Sequence, residues 1–323
     1  MQSDYRIRVM RRNEVGVAID WAAREGWNPG LHDAACFAAA ESDGFFVGEL
    51  DGAAVAVISA VKYESDRDDG DGDGDGAGAG NGDDGAGDGG DGAGGGDFGF
   101  IGLYIVAPAM RGRGYGLAIW RAAMQRLRGC NIGLDGVVAQ QENYRKSGFR
   151  LAHRNVRYAG IAGRSTAAGA KTGGKMSGAA EVVELSEVPF AVLAAYDRRM
   201  FPAPRAAFLR AWIQQPDSAA LGVLSGGELA GYGVLRRCRA GHKIGPLFAD
   251  TPALAEQLFA ALCARAAPGA SVYLDIPAPN SQALKLARTH GMRAVFETAR
   301  MYTGAPPALP LDKIFGITTF ELG

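Results

Sequence analysis

The chain has 323 residues, 47% of them hydrophobic, and a formal net charge of −1 at neutral pH. This length predicts about two domains with packed cores, and no apolar run approaches the ~20 residues of a membrane-spanning helix. The N-terminal residues lack the apolar stretch of a secretory signal, and the 4 cysteines are too far apart for zinc or disulfide spacing. We therefore expect a cytoplasmic protein that uses no metal and has no membrane partner.

The N-terminal part of the chain predicts strands and helices in alternation. Apolar runs between turn signals indicate a strand, two helices and two further strands, at residues 5–9, 13–24, 31–40, 45–50 and 53–63. The Asp51-Gly52 pair is typical of a hairpin turn. The last two strands are therefore expected to be adjacent and antiparallel.

A glycine-rich acidic segment interrupts this domain. Residues 64–97 hold 15 glycines and 12 acidic residues against one arginine, with almost no apolar side chains. Such a segment cannot bury enough surface to offset its chain entropy, so we expect a disordered insertion. The rest of the chain is then strongly basic, which suits a ligand that carries phosphate groups. No nucleic-acid-binding motif accompanies this charge, so nucleic acid is not expected as a partner.

The next motif joins a buried strand to a helix through a glycine-rich turn. Residues 98–106 predict the strand, and residues 116–128 predict an amphipathic helix. The turn contains Arg111, Gly112, Arg113, Gly114, Tyr115 and Gly116. A turn of this kind presents free backbone N–H groups at the positive end of the helix dipole, and the arginines add charge. The motif therefore predicts a binding site for a diphosphate.

The pattern Arg111-x-x-Gly114-x-Gly116 after a strand resembles the coenzyme A pyrophosphate loop of the GNAT superfamily of N-acetyltransferases. The six residues alone also fit a tight turn with solvated arginines, but the flanking strand and helix make the resemblance more specific. The resemblance implies that residues 111–116 hold the pyrophosphate of acetyl-CoA as co-substrate. It also implies that backbone groups of Ile105 and Val106 pair with the pantetheine arm and polarise the thioester.

A second resemblance to the same family follows downstream. Residues 131–139 predict the next strand, and Tyr144 lies five residues before Phe149 of a Gly-Phe pair. In GNAT enzymes a tyrosine at this spacing often protonates the departing thiolate, a role that a neutral phenol can fill. The resemblance implies that Tyr144 is the catalytic acid. The alternative is a tyrosine that only packs a short helix against the sheet.

Two positions depart from the family pattern. The asparagine expected seven residues before the tyrosine is replaced by Val137. Many members also carry a glutamate on the strand before the loop, where this chain has Gly102 and no carboxylate. The general base that would take the proton from the amine is therefore left open. The candidates are four acidic residues, Glu25, Asp33, Asp135 and Glu142.

The acceptor site is expected beside the first two helices. In GNAT folds the loop between these helices commonly covers the acceptor, so the resemblance implies acceptor contacts by Trp27, Asn28, His32 and Asp33. The same residues also fit a loop that is anchored by one buried tryptophan. The acceptor would be an amine of a small molecule or of a protein, and the sequence leaves both open.

The second half repeats the first half weakly. Residues 161–180 are rich in Gly, Ala, Ser and Thr and predict an interdomain linker. Beyond it, the Gly-Phe pair followed by Arg157 is echoed by a Gly-Met pair followed by Arg300. We also expect residues 311–322, which are apolar and rich in β-formers, to pack as a strand.

The second half lacks the residues that would bind a coenzyme. Asp250 and Thr251 stand where the pyrophosphate loop should lie, and they predict a helix cap instead. Ala287 stands where Tyr144 stands in the first half. We therefore expect a GNAT-like unit that binds no coenzyme A.

These observations predict an α/β protein with two tandem GNAT-like domains, each a mixed, mostly antiparallel twisted sheet flanked by helices. The catalytic domain would span 1–160, the linker 161–180 and the degenerate domain 181–323. The implied activity is transfer of an acetyl group from acetyl-CoA to a primary amine by direct attack. A non-catalytic sensor of acyl-CoA is the alternative. The oligomeric state is left open.

Overall fold

The computed structural model describes residues 4–64, 97–163 and 180–323. The predicted insertion at 64–97 and the predicted linker at 161–180 therefore lie, apart from a few end residues, outside the described part of the chain. The strands that flank each gap belong to the same sheet.

The described residues form a mixed sheet of thirteen strands. The strands are β1 Tyr5–Val9, β2 Phe45–Leu50, β3 Ala53–Tyr63, β4 Phe98–Val106, β5 Asn131–Val137, β6 Arg150–Ile161, β7 Glu181–Glu184, β8 Ser218–Ser225, β9 Glu228–Arg237, β10 His242–Ala249, β11 Ser271–Pro277, β12 Arg293–Tyr302 and β13 Ile314–Gly316. Most neighbours are antiparallel, and the parallel pairs are β4 with β5 and β10 with β11.

Eight α-helices among the described residues cover the sheet. They are α1 Val15–Arg24, α2 Asp33–Ala40, α3 Tyr115–Arg126, α4 Gln141–Lys146, α5 Phe190–Met200, α6 Ala206–Ile213, α7 Pro252–Cys263 and α8 Ser281–Thr289. None of the helices in the described ranges is long and apolar enough to cross a membrane.

The two halves of the chain exchange strands at the centre of the sheet. The strand order is β1-β2-β3-β4-β5-β12-β6-β11-β10-β9-β8-β7, with β13 beside β10. Strand β12 of the second half thus pairs with β5 of the first half, and β6 of the first half pairs with β11 of the second. The two GNAT-like units were predicted with a sheet each, but they share one continuous sheet. The predicted boundary at residue 160 would therefore divide the chain but not the sheet.

The two arginines of the weak sequence repeat lie on β6 and β12, the strands exchanged between the halves. Arg300 on β12 lies opposite Asp135 on β5, and their side chains are 2.5 Å apart. Arg157 on β6 lies opposite Asp275 on β11, with N–O distances of 2.7 and 2.8 Å. Each repeated arginine therefore forms a buried ion pair with the other half of the molecule.

Several predicted local structures are confirmed. Asp51 and Gly52 both have positive φ angles, 50° and 81°, as a tight hairpin turn requires. Thr251 caps α7, where its hydroxyl accepts from the Leu254 amide. Asp250 accepts from Lys313 at 3.1 Å, so an anion there would meet a carboxylate instead of a glycine-rich turn.

The segment after residue 310 differs from its prediction. The expected strand at 311–322 is wrong in its extent, because only Ile314–Gly316 pairs with the sheet, alongside β10. The residues that follow are buried without forming a strand, and the Tyr63 hydroxyl of β3 donates to the Leu322 carbonyl at 3.1 Å. The chain thus leaves the second half and ends against the first. We call residues 317–323 the C-terminal segment.

Candidate active site

The parallel strands β4 and β5 diverge and open a cavity. Their pairing stops at Ile101 and Leu134, although both strands continue. Leu103 has a φ of 48°, and the register between β3 and β4 shifts beside it, so β4 bends there. Between the diverging ends lies a cavity of about 580 Å³. This space can admit an extended ligand between two strands without breaking backbone hydrogen bonds.

The predicted pyrophosphate loop borders this cavity. Gly112 and Gly114 have φ angles of 76° and 88°, which glycine adopts at little cost. A Cβ atom at either position would have no neighbour within 4 Å, so the loop backbone faces open space. At Gly116 the start of α3 lies so close to β4 that a Cβ atom would be 2.8 Å from the Tyr104 hydroxyl. Glycine at this position therefore allows the close packing. The glycines therefore give an anion direct access to the N-terminus of α3.

Arg111 lies at the rim and is already engaged. Its guanidinium is 2.5 Å from the Glu25 carboxylate and donates to the Val106 carbonyl at 2.9 Å. About half of its side chain is exposed, so a phosphate group can reach it in competition with Glu25. Arg113 and Tyr115, by contrast, do not line the cavity. The ring of Tyr115 packs on Tyr5 with centroids 4.7 Å apart.

The backbone of β4 faces the cavity at Val106. The Ala107 amide donates to the Val55 carbonyl on β3, and bonding directions alternate along an extended strand. The Val106 amide therefore points away from β3, toward the opening between β4 and β5. Ile105 lies opposite Val57, and its backbone groups face β3. Of the two residues predicted to meet the pantetheine arm, only Val106 has its amide free for that contact.

Tyr144 lies in the cavity wall on α4. Its ring packs on Trp120 with centroids 5.6 Å apart. It also lies on Gly136, where a Cβ atom would be 2.3 Å from the ring. Burial raises the pKa of Tyr144, and the nearby Tyr104 adds to this shift. The phenol therefore stays protonated at neutral pH and can donate a proton inside the cavity.

The four predicted acceptor residues are divided between two places. Trp27 lines the cavity. Asn28 instead bonds to the second half, where its side chain accepts from the Ala240 amide at 2.8 Å and donates to the Ala240 carbonyl at 2.9 Å. Asp33 is fully buried and binds Arg236 at 2.9 Å, and His32 contacts Asp217 at 3.0 Å. The last three lie outside the cavity lining, because the second half covers this loop.

The four candidate bases are all held in ion pairs. Glu25 binds Arg111, Asp33 binds Arg236, and Glu142 binds Arg145 on the exposed face of α4. Asp135 lines the cavity, but Arg300, Asn155 and Thr298 all donate to it. Asp33 and Glu142 also lie outside the cavity lining. Glu25 and Asp135 line the cavity, with their carboxylates in ion pairs. None of the four therefore presents an unpaired carboxylate to the cavity in this structure.

The second half supplies part of the cavity wall, which the sequence did not reveal. Phe296 and Thr298 on β12 line the cavity, and so do Phe320 and Glu321 of the C-terminal segment. They reach it because β12 is inserted beside β5 and the C-terminal segment crosses β4. Within the described ranges, no group of three or more His, Cys, Asp or Glu side chains is arranged to hold a metal ion.

Each half of the chain matches a sequence model of acetyltransferases. The sequence model of the acetyltransferase (GNAT) family matches residues 14–149. A second sequence model, of an acetyltransferase (GNAT) domain, matches residues 193–316. The chain belongs to the GNAT family. The two matches identify it as a GNAT protein with a second, C-terminal GNAT-like domain, and the shared sheet shows how the two GNAT units are joined.

Relatives of known name or structure span nearly the whole chain. Holothin acyltransferase from Pseudoalteromonas sp. (strain SANK 73390) is 28% identical over 304 residues, which cover 94% of this chain and 90% of that protein. A proposed acetyltransferase from Pyrococcus horikoshii has a similar structure, with a TM-score of 0.72 and 20% identity over 99% of this chain and 96% of that chain. A tandem GNAT protein from the clavulanic acid biosynthesis pathway has a TM-score of 0.58 and 12% identity, covering 94% of this chain and 100% of that chain. The solved structures support the tandem GNAT fold.

Proposed function

We propose that this protein transfers an acyl group, with acetyl as the first candidate, from acyl-CoA to a primary amine. The observation that carries the proposal is the cavity between the diverging ends of β4 and β5, which holds an open glycine loop at one end and Tyr144 in its wall. The GNAT family and the acyltransferase relative support the same reaction class.

Each part of the cavity has a separate task in this reaction. The backbone around Gly112 and Gly114, at the N-terminus of α3, binds the diphosphate of the coenzyme, and Arg111 adds positive charge. The Val106 amide orients the arm of the coenzyme between the two strands. Tyr144 gives its proton to the thiolate as the thioester is broken. General acid catalysis of this kind contributes about 10²-fold to 10⁴-fold in rate.

A small-molecule amine is the acceptor that the cavity favours. Phe296, Phe320 and Trp27 give its wall an aromatic lining, and the C-terminal segment covers β4 at Gly102. Such a covered aromatic space suits a compact, partly apolar amine better than a protein side chain on a folded surface. The relative is named for holothin, which makes holothin the first acceptor to test.

The release of free CoA tests this proposal against the alternative of a non-catalytic sensor. We expect the purified protein to release free thiol from acetyl-CoA only when an amine is present, in a panel of holothin, phenethylamine and a lysine-containing peptide. The acylated product should appear in equal amount by mass spectrometry. Acetyl-CoA binding without release for every amine would favour the sensor, and the enzyme proposal would then be abandoned.

A further inference from the structure

One acidic residue that lines the cavity is not held in an ion pair. Glu321 lines the cavity and is 3% exposed, and its Oε2 atom is buried without a hydrogen-bond partner among the described residues. An unpaired buried carboxylate is costly to keep, so its position calls for a functional explanation. The four acidic residues considered above have cationic partners, and Glu321 differs from them in this respect.

The fold fixes Glu321 at the position where β4 lacks a carboxylate. The C-terminal segment crosses β4 so closely that a Cβ atom at Gly102 would lie 2.0 Å from the Glu321 carbonyl oxygen. Glycine at this position therefore makes room for the segment. A side chain at Gly102 would displace the backbone of the C-terminal segment at Glu321.

Contacts on both sides of Glu321 hold it in place. The Thr319 hydroxyl accepts from the amides of Glu321 and Leu322, at 3.1 and 2.9 Å. The Arg157 guanidinium lies 4.8 Å from the centre of the Phe320 ring. Tyr63 holds Leu322, as described above. The carboxylate is thus attached to a segment that is anchored in both halves of the molecule.

Two of the three cations around Glu321 are paired with other carboxylates. Arg157 binds Asp275, Arg236 binds Asp33, and the Lys243 ammonium donates to the Asn28 carbonyl at 3.1 Å. Burial raises the pKa of Glu321, Asp33 raises it further, and the three cations oppose the shift. A raised pKa makes the ionised carboxylate a stronger proton acceptor.

We propose that Glu321 is the general base that takes the proton from the acceptor amine. In this step the amine nitrogen attacks the thioester carbonyl carbon, so the C–N bond forms and the C–S bond breaks. The Glu321 carboxylate takes the proton from nitrogen, and Tyr144 gives a proton to the departing sulfur. Glu321 then returns its proton to solvent, and Tyr144 regains one. This inference rests on the acyl transfer proposed above.

The test compares Glu321→Gln with wild type, using acetyl-CoA and the amine of the panel that is acetylated fastest. We expect kcat/KM at neutral pH to fall about 100-fold, while the Kd for acetyl-CoA in calorimetry is unchanged. In wild type, kcat/KM should fall toward acid as Glu321 becomes protonated. In the variant this acidic limb should vanish, or move up to the pKa of the amine itself.

Glu142→Gln is the matched control, because it removes an exposed carboxylate of α4 that lies outside the cavity lining. It should keep both the rate and the pH profile of wild type. Glu321→Asp, which keeps a carboxylate, should retain the acidic limb at a reduced rate. An acidic limb that is unchanged in Glu321→Gln, with wild type active, would overturn the assignment of Glu321 alone. No turnover in wild type would instead overturn the proposed function.

Discussion

Replacing Tyr144 by phenylalanine should lower kcat by about 100-fold or more while leaving the Kd for acetyl-CoA unchanged. The phenylalanine ring would keep the packing on Trp120 and Gly136, so the cavity should retain its shape. Only the proton for the departing thiolate is lost. Steady-state kinetics and calorimetry on the same preparation measure the two effects separately.

The pH dependence of the wild-type protein adds a second check on Tyr144. Because burial raises the pKa of this phenol, it stays protonated at pH values where an exposed tyrosine would begin to ionise. Activity should therefore show no alkaline loss from Tyr144 near the usual tyrosine pKa of about 10. Tyr273→Phe, on β11 and outside the cavity lining, is the control and should behave as wild type. Full turnover by Tyr144→Phe across the pH range would remove Tyr144 from the mechanism.

Breaking the Asp135–Arg300 ion pair, one of the two that join the exchanged strands to the opposite half, should lower stability strongly. In Asp135→Leu, Arg300 is left with a buried charge and no carboxylate partner, since the pair joins side chains that are 8% and 0% exposed. Removing one member of such a pair costs about 3 to 5 kcal/mol. The free energy of unfolding in guanidinium chloride should fall by that amount. The double variant Asp135→Leu with Arg300→Met should recover a large part of the loss, because no unpaired charge remains.

An exposed ion pair provides the matched comparison. Arg265, which follows α7, pairs with Glu184 of β7, and their side chains are 52% and 41% exposed. Glu184→Gln should change the free energy of unfolding by about 1 kcal/mol or less, because solvent screens the pair. A loss in Asp135→Leu no larger than in Glu184→Gln would show that the exchanged strands do not depend on this contact.

The local structure of the first half could be predicted from the sequence because its signals are short-range. The Asp51-Gly52 turn, the start of α3 after the glycines and the position of Tyr144 after β5 each depend on a few neighbouring residues. The repeated arginines were also visible as a pattern. Their pairing with the opposite half was not visible, because a strand has the same sequence pattern whether it pairs within its own half or with the other half.

The remaining features of the site depend on contacts between distant residues. Asn28 and Asp33 were expected at the acceptor, but their partners Ala240 and Arg236 belong to the second half. Glu321 carries no local signal of function. Its placement follows from the strand exchange and from the close approach to β4 that Gly102 permits. A carboxylate missing from one strand can thus be supplied by a segment far along the chain.

The binding of acetyl-CoA to the glycine loop is the central claim, and calorimetry tests it most directly. Gly114→Glu places a carboxylate at the N-terminus of α3, while Gly129→Glu makes the same change at its other end. Both glycines have similar φ angles, 88° and 87°, and open space around a Cβ atom, so backbone strain is matched. We predict micromolar binding of acetyl-CoA to wild type and to Gly129→Glu, and none to Gly114→Glu. Absence of binding in wild type, or equal binding in both variants, would contradict a coenzyme site at this loop.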